Sequence, residues 1–168
     1  MGKKRSKKRA DKNKRERERK KRKRAKAAAQ AATQAEHLVL SGKVQNLQCN
    51  LHLFIRAPGS TEAPSPTTAV VDTGATMLAI RADVVQKLSL PVIGNATTAT
   101  PSGTEQRTVV AAELFLQSGD RTIGKTVQAV VYPNMIDPIL FGMKEIVGGV
   151  LKVDMSKGEW ELRYKDFG

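Results

Sequence analysis

The sequence predicts a mostly β domain, a small closed barrel carrying one or two short helices, preceded by a basic tail that is either helical or disordered. Three observations predict it. Short β-branched or apolar segments recur at intervals of about 8–12 residues, bounded by Gly, Pro, Asp or Asn, which is the spacing of a barrel or sandwich. Helix-compatible stretches within that part are short. The charge is segregated: residues 3–26 hold 17 Lys or Arg against Asp11, Glu16 and Glu18, whereas residues 27–168 hold 12 basic and 13 acidic side chains. The boundary therefore falls between a tail at 1–37 and a near-neutral domain at 38–168, long enough to bury a core without disulfides or metal.

Each element follows in order. Residues 25–35 are strong helix formers with no large apolar face, so the tail can be helical but cannot be core. Leu38-Val39-Leu40, Val44 and Leu47, and then the alternating Leu51, Leu53 and Ile55, read as strands, the last with one buried face. The loop at 57–66 contains three prolines and separates this hairpin from the apolar run Ala69-Val70-Val71. A short helix is expected at about Ala82 to Leu88. Val109 to Leu116, Thr122 to Tyr132 and Ile139 to Phe141 read as further strands, with Gly119-Asp120 as a hairpin turn between the first two.

Several function classes are disfavoured. Cys49 is the only cysteine, so no intrachain disulfide can form, and no Cys/His spacing suits zinc; no metal or cofactor is expected. No apolar run approaches the ~18 residues of a membrane span, and the charged N-terminus lacks the apolar stretch of a secretory signal. The expected setting is intracellular and cytoplasmic, away from membranes.

The chemistry concentrates in Val70-Val71-Asp72-Thr73-Gly74-Ala75. An acidic residue at the end of an apolar strand, followed by a Thr-Gly turn, is placed to emerge where catalysis can use it. The tripeptide alone equally suits an Asx turn, with the carboxylate merely capping backbone N–H groups. Its surroundings favour catalysis. Ala69 to Pro91 runs strand, loop, strand and short helix ending Leu88-Ser89-Leu90-Pro91; Thr100-Pro101-Ser102-Gly103 follows, then Ile139-Leu140-Phe141-Gly142-Met143, then Val153-Asp154 and Gly158 to Leu162. In this order the chain, from about 44 to 164, resembles the retropepsin-like aspartic proteases: active-site loop, flap, apolar-apolar-Gly element and closing hairpin.

The resemblance implies a homodimeric aspartic endopeptidase acting on polypeptides. Two carboxylates sharing one proton activate water against a peptide carbonyl, and one carboxylate cannot do so. With a single Asp-Thr-Gly and a domain half the size of a two-lobed enzyme, two chains must bring their Asp72 residues together across a two-fold axis. Thr73 and Gly74 would support the pair, by a hydroxyl bonded across the dimer and by close backbone approach. Ala75 lacks the hydroxyl that a Ser or Thr there would offer the carboxylate, so the expected optimum is mildly acidic, and maximal activity at about pH 2 to 3 would count against it. Ser102, Gly103 and Thr104 would lie in the flap, within a mobile segment at about 97–107, although Pro101 removes a backbone donor there. Lys144-Glu145 departs from the acidic-apolar pair common in the family's cellular branch. Trp160 and Leu162 suit either an intersubunit strand or the protomer's own core.

The tail has a separate expectation. Its charge density, with Lys20, Lys21, Arg22, Lys23 and Arg24 as the densest run, should bind RNA, DNA or another acidic partner without sequence readout, since no aromatic residue precedes Phe54. In a nucleated cell the same run reads as a nuclear or nucleolar signal. The alternative to an enzyme is a non-catalytic, dimerising protease-like domain in a nucleic-acid-binding protein.

Overall fold

The computed structural model describes residues 16–26, 37–100 and 103–164. The chain divides into two units, Met1–His37 and Leu38–Gly168. In the first, residues 16–26 form a helix, α1, with every residue exposed, as its lack of an apolar face dictates. No helix among the described residues is long and apolar enough to cross a membrane.

The second unit is β-rich. Its described elements are β1 (Leu38–Gln45), β2 (Gln48–Arg56), β3 (Ser65–Val71), β4 (Leu78–Arg81), α2 (Ala82–Lys87), β5 (Val92–Thr100), β6 (Gly103–Ser118), β7 (Arg121–Tyr132), β8 (Ile139–Phe141), α3 (Met143–Ile146), β9 (Gly149–Asp154) and β10 (Glu159–Tyr164). Six strands close on themselves in the order β6-β7-β4-β8-β3-β2, and β2 returns to β6. Two neighbour pairs, β3 with β8 and β4 with β7, are parallel. This is the mostly β, closed-barrel, retropepsin-like fold that the sequence predicts.

Alternation fills the barrel. Leu51, Leu53 and Ile55 on β2, and Val110, Ala112, Leu114 and Leu116 on β6, point inward and are buried, as a period of two requires. Leu78 and Ile80, Ala129, Ile139 and Phe141 complete the core from β4, β7 and β8. At the closing seam, Arg56 on β2 meets Glu113 on β6 at 2.7 Å and lies 5.0 Å from the Phe115 ring centroid, so one guanidinium both pairs and stacks. Pro66 is tolerated in β3 because β8 pairs only with Ala69 to Val71, leaving Pro66 opposite Phe54 alone.

A second sheet, β1-β10-β9, extends from the barrel through β1. Trp160, Leu162 and Tyr164 share its buried face with Leu38 and Leu40. Both edges of β10 are occupied within the protomer, by β1 and β9. Of the two readings for Trp160 and Leu162, the structure selects the protomer's own core.

Leu47 does not continue a strand. Asn46 and Leu47 form the two-residue turn between β1 and β2, with φ of 50° and 63°. A hairpin loop of this length favours left-handed backbone at both positions, which a side chain bearing a Cβ resists. At 84% exposure Leu47 gains little packing in return. Leu47→Gly is expected to raise stability by about 0.5–1 kcal/mol, read as a higher urea midpoint at unchanged m value.

Candidate active site

The site begins where β3 ends. Val71 pairs with Phe141 of β8, and the Asp72 N–H donates to the Phe141 carbonyl at 3.0 Å, one more rung that fixes the aspartate's backbone to the barrel rim. The chain then turns: the Ala75 N–H reaches the Asp72 carbonyl at 3.3 Å, and the Gly74 N–H donates to Asp72 Oδ1 at 2.8 Å. A Cβ at Gly74 would stand 3.2 Å from that oxygen, tighter than an ordinary contact. The Asx hydrogen bond is therefore present, but it uses one carboxylate oxygen. Asp72 is only half-buried, and Oδ2 has no hydrogen-bond partner among the described residues.

The loop is clasped from behind by α3. The Met143 N–H donates to the Ala75 carbonyl at 2.7 Å and the Lys144 N–H to the Thr76 carbonyl at 3.0 Å. Gly142 makes this approach possible, because a Cβ there would fall 2.4 Å from the Met77 carbonyl oxygen and 2.9 Å from that of Ala75. Thr73 is exposed, and its hydroxyl has no hydrogen bond among the described residues.

Beside the loop lies a cavity of about 540 Å³. Gly74 to Ala79 form one wall; Thr97, Thr98 and Ala99 of β5 face them; Val130 and Tyr132 of β7, Met135 and Leu140 close the remainder. The hairpin β5–β6 overhangs as a two-stranded ribbon whose last rung is Thr100 opposite Gly103. Arg107 on this ribbon pairs with Glu105 and stacks over the Tyr132 ring at 4.8 Å from its centroid, tying the ribbon to the cavity wall.

The predicted site residues are thus distributed unevenly. Asp72, Thr73, Gly74 and Ala75 share one turn, of which Gly74 and Ala75 line the cavity. Gly103 and Thr104 stand exposed at the start of β6, and Ser102 lies outside the described residues. Within the flap segment it is the β5 side, Thr97 to Ala99, that faces the cavity. Tyr132, Met135 and Val130 went unforeseen because no local pattern marks them; the parallel pairing of β4 with β7 brings two of them there. Lys20 to Arg24 lie on α1 with exposed side chains, described within their own unit. No cluster of three or more His, Cys, Asp or Glu among the described residues could hold a metal ion.

A closed six-stranded barrel, one Asp-Thr-Gly turn at its rim, a clasping Gly-Met helix start and an overhanging ribbon define the class: a single-lobed, retropepsin-like aspartic protease domain. The profile of the family described as "gag-polyprotein putative aspartyl protease" matches residues 57–146, more than half of the chain, and the chain belongs to that family. Among solved structures, a retropepsin-like aspartic protease from Rickettsia conorii superposes with a TM-score of 0.53 at 18% identity, over 76% of this chain and 92% of that one; at such identity the likeness speaks for the fold alone. No curated protein matches the sequence.

Proposed function

We propose that the protein is an aspartic endopeptidase active as a homodimer, in which Asp72 of each protomer contributes one carboxylate of a proton-sharing pair. The observation that carries this reading is the half-open Asp72 turn, with Oδ1 tethered and Oδ2 unbonded, beside a cavity of peptide-binding size. One protomer holds a backbone-anchored acid but no second one in the same turn. A two-fold copy supplies it, and the single pair shared by the two protomers would activate a water against the scissile carbonyl. The exposed Thr73 hydroxyl is then available to its counterpart beneath the pair.

An extended peptide fits between the ribbon and the Gly74–Ala79 wall as an added strand, its alternate side chains entering the apolar space lined by Met77, Tyr132, Met135 and Leu140. The full chain should cleave a denatured-protein or peptide library and be blocked by a statine-type transition-state mimic. Its specific activity should rise with protein concentration before reaching a plateau, because assembly precedes chemistry. Cleavage whose specific activity stays constant down to concentrations where light scattering finds only protomers would refute the shared pair.

The tail is proposed to act separately, as a polyanion-binding segment. Residues 16–26 expose every side chain, and Lys20 to Arg24 add five consecutive cations. Retention on RNA or DNA should fall steeply between about 50 and 200 mM salt. Charge-neutral replacement of Lys20 to Arg24 should remove most of it without altering peptide cleavage.

A further inference from the structure

Two charged side chains near the site have no part in the mechanism above: Glu145, buried in α3, and Arg81, the last residue of β4. Arg81 has the fuller set of contacts. Its Nε donates to Asp83 Oδ1 at 2.7 Å and its Nη2 to Asp83 Oδ2 at 2.9 Å, so one edge of the guanidinium is filled by a bidentate carboxylate. The remaining nitrogen, Nη1, donates to the Ile136 carbonyl at 2.9 Å. From the backbone, the Arg81 N–H donates to the Pro138 carbonyl at 3.0 Å, and the residue lies in register with Tyr132 where β4 pairs with β7.

Apart from Asp83, these contacts fall on one stretch, the connection 133–138 from β7 to β8 and its root at Tyr132. The connection needs them. The ladder of β7 with β4 stops at Tyr132 and those of β8 begin at Ile139, so no strand pairing holds the residues between. Pro133, Asn134 and Ile136 are exposed, Ile136 at 92%, and give it no packing anchor. Gln48 reaches it at Asp137, at a long 3.4 Å. Yet Met135 of this connection is cavity wall, and Tyr132 carries the Arg107 stack from the ribbon. A methionine side chain has three soft torsions, so its place in the wall depends on the backbone that bears it.

We infer that Arg81 is a positioning residue for substrate selection: its guanidinium, aligned by Asp83, pins the Ile136 carbonyl and so holds Met135 against the peptide side chain that enters the cavity. A fixed wall rewards the side chain that fits it, and a loose wall rewards it less. The fork geometry is what requires arginine. Lysine offers a point charge on a flexible stem and cannot hold the Asp83 carboxylate and the Ile136 carbonyl in one rigid plane. The Arg81–Asp83 pair is itself partly exposed and adds little to overall stability, so its loss should act locally.

The pinning stands without catalysis; the selection rests on the endopeptidase reading. In the full chain carrying Asp72→Asn, which removes self-cleavage by the proposed dyad, adding Arg81→Gln should let thermolysin nick before Met135 or Ile136 about tenfold faster, with the melting temperature within about 2 °C. Arg81→Lys should be nicked nearly as fast. With Asp72 intact, Arg81→Gln should raise KM about tenfold for a peptide carrying its preferred apolar side chain, with kcat within about twofold. KM should stay nearly level for the same peptide with Ala at that position. Met135→Ala should reproduce this loss of preference, and the double variant should add little, because both changes remove one wall. Unchanged nicking after Arg81→Gln, full protection restored by Lys, or additive losses in the double variant would overturn the inference. A wild-type chain that cleaves nothing would instead sink the endopeptidase reading, and the nicking rates would still decide whether Arg81 pins the connection.

Discussion

Asp72→Asn is expected to lower kcat by about 10³-fold or more while leaving the melting temperature nearly unchanged. Asn has the same shape and retains an oxygen to accept the Gly74 N–H, the one hydrogen bond the carboxylate makes within its own turn. The Asp72 backbone rung to Phe141 is untouched. What disappears is the ability to take and return a proton. The substitution also makes assembly measurable. If protomers exchange freely, an equal mixture of wild-type and Asp72→Asn chains forms about half the wild-type pairs that the wild-type chains would form alone, and a threefold excess of the variant leaves about a quarter. Activity that ignores the added variant after prolonged incubation would mean that each chain works independently.

Gly142→Ala should cost about 2–3 kcal/mol, lowering the melting temperature by roughly 5–10 °C in a calorimetric scan. The added methyl group would meet the Met77 carbonyl oxygen at 2.4 Å, the Met77 carbonyl carbon at 2.6 Å and the Ala75 carbonyl oxygen at 2.9 Å. These are backbone atoms, so no side chain can swing away. Relief requires α3 to retreat, which stretches the hydrogen bonds from Met143 and Lys144 to the active-site loop. Cleavage should therefore suffer with stability, with kcat falling about tenfold even at temperatures where the variant is fully folded. A stable Gly142→Ala protein with wild-type kcat would show that the clasp does not position Asp72.

The barrel was legible in the sequence wherever burial imposes a period of two. Leu51, Leu53 and Ile55 announce β2, the Val109 to Leu116 run announces the buried half of β6, and Gly119-Asp120 sits at the turn as read. The outer half of β6, from Gly103, was less visible because its residues are exposed and polar and owe their extended form to pairing with β5. Leu47 was misread for the opposite reason: an apolar residue occupies a turn whose backbone would suit glycine, so hydrophobicity pointed to a strand that is not there. In the site, Asp72 to Ala75 could be read because their order is local. Tyr132 and Met135 could not, since they reach the cavity through strand order. Glu145 was visible only as a departure from an apolar position, and its burial depends on packing that no short window of sequence contains.

In the β1-β10-β9 sheet, β9 is the edge strand and β10 the central one. Because β10 spends both of its hydrogen-bonding edges inside its own chain, the protomer needs no borrowed strand to be complete. If two protomers pair as proposed, folding and pairing are separate events with separate midpoints in dilution and denaturant. On the proposed homodimer reading, such a chain would be an intact but silent half until it met its copy.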